Sequence, residues 1–61
     1  MTPAEATAAN RDYLDAAGWA LDRGYWRDPD GESGEPTIAY PDTPAGVARA
    51  AFAERARWAV R

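Results

Sequence analysis

The same signal, Thr-Pro-Ala, occurs at Thr2-Pro3-Ala4 and again at Thr43-Pro44-Ala45, on either side of a turn-rich stretch from Gly24 to Tyr40. A threonine hydroxyl can accept from a free N–H of a helix's first turn, and proline suits that turn because its missing N–H would be unpaired there anyway. Each copy therefore opens a helix, and the chain between them has to reverse. In the first copy Glu5 stands three residues after Thr2, which completes a capping box. Asp42 precedes the second copy.

Those two helix starts define an α+β reading of a small single domain. An N-terminal helix is expected over about 3–23, a short antiparallel β-hairpin over about 24–40, and a C-terminal helix over about 44–60. Gly24 supplies the left-handed residue that would stop the first helix. At 100° per residue Ala6, Ala9, Tyr13, Leu14, Ala17, Ala20 and Leu21 fall on one arc, opposite Arg11, Asp12, Asp15, Asp22 and Arg23. Trp19 breaks this pattern by falling on the polar side. It is expected either to fold back over the hairpin or to anchor a partner.

In the central stretch, Tyr25-Trp26-Arg27 and Thr37-Ile38-Ala39-Tyr40 have strand-favouring residues, with Asp28-Pro29-Asp30-Gly31 as a turn between them. Alternation sends Tyr25 and Arg27 to one face and Trp26 to the other, while Ile38 and Tyr40 share a face. A two-stranded hairpin is marginal in water, so the helices are expected to cover one of its faces.

In the second helix Val47, Ala51 and Trp58 form one apolar strip, and Ala48, Phe52, Ala56 and Ala59 form another beside it. Arg55 lies between the strips, where its stem can pack while the guanidinium reaches solvent or a carboxylate. From Val47 onward the chain carries +3, and the part before it −6, for a net charge of −3. That imbalance predicts either that the basic helix packs near the acidic remainder, or that Arg49, Arg57 and Arg61 face an anionic partner.

Chemistry is limited by missing parts. With no histidine, cysteine or lysine there is no imidazole base, thiolate or Schiff-base amine. Ser33, the lone serine, has no base beside it. The loop acids Asp28, Asp30, Glu32 and Glu35 do not follow the calcium-loop spacing, since glycine comes fourth rather than sixth and no acid stands at the twelfth position. No enzyme activity, cofactor or metal is expected. No apolar run nears the roughly 20 residues of a membrane span, and the N-terminus lacks a signal peptide's basic start and apolar core. A cytoplasmic protein is expected, and arginine as the only base among abundant alanines suggests a bacterial or phage gene.

The run YWRDPDG, followed by a strand and then YPDTPAGVARAAF, resembles the strand–turn–strand–helix of the arm-binding domains of tyrosine-type phage integrases. The resemblance implies a sheet that presents side chains to DNA. Two departures stand against it. This hairpin is acidic where the family's is basic, and a helix replaces the third strand.

The expected function is therefore a small non-enzymatic protein–protein interaction module, self-associating or an adaptor for a larger protein. A 61-residue chain without disulfides has a thin core, and its aromatics exceed what that core hides. The expected contact set is Trp19, Tyr25, Trp26, Tyr40 and Trp58. The alternative is nucleic-acid binding through Arg49, Arg57 and Arg61 on the C-terminal helix.

Overall fold

The computed structural model describes residues 1–29 and 39–59. The chain runs α1 (Pro3–Ala16), β1 (Ala20–Asp22), β2 (Tyr25–Arg27), β3 (Ala39–Pro41) and α2 (Pro44–Ala59). The α+β class holds, with a helix on each side of an antiparallel hairpin. The sheet carries a third strand, in the order β1-β2-β3, all antiparallel.

Both helix starts form as their sequences dictate. In α1 the Glu5 N–H donates to Thr2 Oγ1 at 3.1 Å, and the Thr2 N–H donates to Glu5 Oε1 at 3.0 Å. In α2 the Gly46 N–H donates to Thr43 Oγ1 at 3.0 Å, and the Val47 N–H to the Thr43 carbonyl at 2.8 Å.

The first helix ends at Ala16, about two turns short of the expected residue 23. Gly18, not Gly24, supplies the left-handed residue, with φ at +94°. The Gly18 N–H donates to the Asp15 carbonyl and the Trp19 N–H to the Leu14 carbonyl, which together make a Schellman motif. Its usual apolar contact is present too, because Trp19 and Leu14 share the core. Ending the helix here frees Trp19 from a register that would have pointed it at solvent.

The residues released from the helix become β1. Asp22 lies opposite Tyr25, so Arg23 and Gly24 form a two-residue hairpin turn with φ of 54° and 82°. Positive φ at both centres is the requirement of a type I′ turn, whose twist matches that of the flanking strands. The third strand absent from the sequence-based expectation is thus supplied from upstream. The return strand β3 begins at Ala39, and the expected positions Thr37 and Ile38 lie outside the described residues, as do Asp30, Glu32, Ser33 and Glu35.

Pairing places Leu21, Trp26 and Tyr40 opposite one another, hence on one face. Tyr25 and Arg27 take the other face, as alternation predicts. Past Pro41, which has no N–H to give, the Asp42 N–H continues the ladder by donating to the Gly24 carbonyl at 2.9 Å. Leu14, Trp19, Trp26, Val47 and Ala50 make the core, with Ala17 and Tyr40 packed against it. α2 touches both α1 and β3. Gly46 permits the second contact: a Cβ there would lie 1.9 Å from the Pro41 carbonyl oxygen.

Candidate interaction surface

Two carboxylates organise the polar side of this small core. Glu54 is only 3% exposed, yet it is fully engaged. Its Oε1 accepts from the Trp19 indole N–H at 2.8 Å, and its Oε2 accepts from the Trp58 indole N–H. Arg57 Nη1 approaches Oε1 at 3.6 Å, and the same guanidinium pairs with Asp28. Asp42 is the second hub. Its Oδ1 accepts from Arg11 Nε at 2.8 Å and from the Trp26 indole N–H at 3.0 Å. Those two donors, the Arg11 hydrogen bond first, hold the Asp42 carboxyl below its ordinary value. Among the described residues no buried side-chain nitrogen or oxygen lacks a partner.

These hubs decide where the expected contact residues lie. Trp19 and Trp26 are 4% and 6% exposed, so both leave the contact set for the core. Each buries its ring and satisfies its one N–H on an acid, which is how an indole is accommodated inside a protein. Tyr40 is half-buried, its ring 5.9 Å from that of Trp19 and tilted by 47°. Tyr25 and Trp58 are open to solvent. Of the arginines proposed for an anion, Arg49 is exposed, Arg57 is tied to Asp28, and Arg61 lies outside the described residues. Arg55 sets its guanidinium 4.8 Å above the Tyr13 ring, a cation–π contact that links α2 to α1.

Sequence reasoning missed the most exposed large apolar side chain of the described helices. Phe52 is 72% exposed, and Leu21 on the edge strand is also exposed. The signal for Phe52 was available: Val47, Ala50, Ala51 and Glu54 are the buried side of α2, and 100° steps put Phe52 opposite them. The two apolar strips read from the sequence therefore part company. Val47 and Ala51 face in, although Trp58 of the same strip is exposed, while Ala48, Phe52 and Ala59 face out and Ala56 is half-buried. Phe52 lines an open groove of about 460 Å³ with Tyr40, Ala48, Arg49 and Ala53.

The second face of the sheet is exposed. It presents Tyr25 and Arg27 beside Asp22, whose carboxylate lies 3.2 Å from Arg27 Nε. A third strand is present, and among the described sheet residues the one arginine, Arg27, is paired with Asp22. Among the described residues no group of three or more acids, histidines or cysteines is placed to hold a metal ion, and no helix is long and apolar enough to cross a membrane. Compared with known proteins, the chain matches no family model, no curated protein and no solved structure.

Proposed function

We propose that this protein is a small non-enzymatic interaction module that associates with a second copy of itself through the outward face of α2. The observation that carries this reading is Phe52, 72% exposed in the middle of a helix face and bordering an apolar groove. An aromatic side chain held in the open on a regular helix contributes nothing to its own chain's core. Covering it would add apolar burial to a domain whose described fully buried large side chains are Leu14 and Val47 alone. Small domains gain disproportionately from such association, because so much of their surface stays wet on folding. A cytoplasmic bacterial or phage setting belongs to the same reading and rests on composition.

The nucleic-acid alternative draws on a smaller basic surface than the sequence suggests, since Arg57 is engaged with Asp28. Molar mass by light scattering, followed from micromolar to millimolar protein, tests self-association directly. A rise toward a multiple of the 6.6 kDa chain is expected, and Phe52→Ser should abolish it with little change in melting temperature. A wild-type protein that stays monomeric throughout overturns the reading.

A further inference from the structure

The outward faces of the two helices differ in charge sign, and this selects how two copies can meet. Opposite its buried Thr7 and Leu14, α1 exposes Ala8, Asp12, Asp15 and Ala16. Its one arginine, Arg11, is turned to Asp42 instead. Away from its own buried side, α2 exposes Ala48, Arg49 and Phe52, with Arg55 exposed on the flank where it also reaches Tyr13, and its one acid, Glu54, is buried. One face is alanine with acids; the other is alanine and phenylalanine with arginines.

Resting on the self-association reading, we propose that α2 of one copy docks on α1 of the other, with Phe52 seated over Ala8 and with Arg49 and Arg55 meeting Asp12 and Asp15. The like-on-like pairings are disfavoured by the same charges. Two α2 faces would oppose arginines to arginines, and two α1 faces would oppose acids to acids, and like charges facing across an interface are costly. Alanine on both helices lets the backbones come close, so Phe52 can fill the space between them. The exposed charges ring this apolar centre, where they set partner orientation and association rate more than affinity. Because the two faces are different, the contact closes into a pair only when each copy gives α2 to the other's α1. A pair built this way makes the contact twice.

Charge reversal tests the pairing. One variant carries Arg49→Glu and Arg55→Glu, so both of its outward faces are acidic; the other carries Asp12→Arg and Asp15→Arg, so both are basic. Far-UV circular dichroism checks that each variant is folded. Arg49→Glu alone replaces the first variant if loss of the Arg55–Tyr13 contact unfolds it. In low salt each variant alone should self-associate at least tenfold more weakly than wild type by sedimentation equilibrium. An equimolar mixture should recover association, because both contacts are then between opposite charges. Variants that self-associate like wild type, or a mixture that does not recover, would overturn the pairing while leaving self-association standing. A wild-type monomer removes both.

Discussion

The Trp19 indole N–H donates to Glu54 Oε1 at 2.8 Å, across 35 positions of the chain. It ties Trp19, just past the end of α1, to α2, and both partners are buried. Losing the acceptor strands a buried donor, which costs roughly 1–3 kcal/mol. Glu54→Leu should therefore lower stability by about that amount in urea unfolding followed by far-UV circular dichroism. Trp19→Phe with Glu54→Leu should destabilise less than the two single changes added together, since the buried Trp19 N–H is then removed along with its acceptor. Strict additivity would contradict the role given to this bond.

Gly46 is a packing requirement. A Cβ at that position would stand 1.9 Å from the Pro41 carbonyl oxygen and 2.9 Å from its carbonyl carbon, both backbone atoms. Relief requires β3 and the start of α2 to move apart. Gly46→Ala should cost at least ~1–3 kcal/mol, the usual range for forced overpacking, although alanine is ordinarily the better helix former. A melting temperature equal to or above wild type would show that the two elements are not held so closely.

Asp42 should contribute to acid sensitivity. Arg11 and then Trp26 lower its carboxyl in the folded protein, whereas an unfolded aspartate titrates near pH 3.9. A depressed folded value means that the contribution is fully present above about pH 4 and is lost as pH falls through the folded value. Glu5, lowered by its hydrogen bonds to the Thr2 backbone and then the Thr2 side chain, acts in the same direction. Urea midpoints measured from neutral pH down to about pH 2 should fall on acidification. Asp42→Asn should be less stable at neutral pH and show a shallower fall. Parallel curves for the two proteins would contradict the assignment.

Arg23 sits at φ 54° in the β1–β2 turn. A side chain in the left-handed region is strained by roughly 1–2 kcal/mol, and asparagine bears the conformation better. Asn-Gly is also the preferred pair for a two-residue turn of this kind. Arg23→Asn should raise stability by roughly 0.5–1 kcal/mol, read as a higher urea midpoint with unchanged slope. A lower midpoint would mean that Arg23 has a contact worth more than the strain.

Local signals determined the two helix starts and the Tyr25–Arg27 strand with Trp26 on the opposite face from its two neighbours. Each depends on residues within a few positions of one another: Thr2 with Glu5, Thr43 with Gly46, and alternation along three residues. The end of α1 was harder to read because Gly18 and Gly24 are both competent stops. Tertiary structure chose Gly18, since only that choice puts Trp19 into the core beside Leu14 and onto Glu54. The same choice releases Ala20–Asp22 to pair with β2 and makes the third strand. It also decided which aromatics are buried. Trp19 and Trp26 each find a distant acid for the indole N–H, whereas Phe52 stands exposed on the helix side opposite the core. Side-chain chemistry near in sequence sets where elements begin, but burial is a property of the whole assembly. A tryptophan enters the core only if the fold brings both apolar neighbours and one acceptor to it.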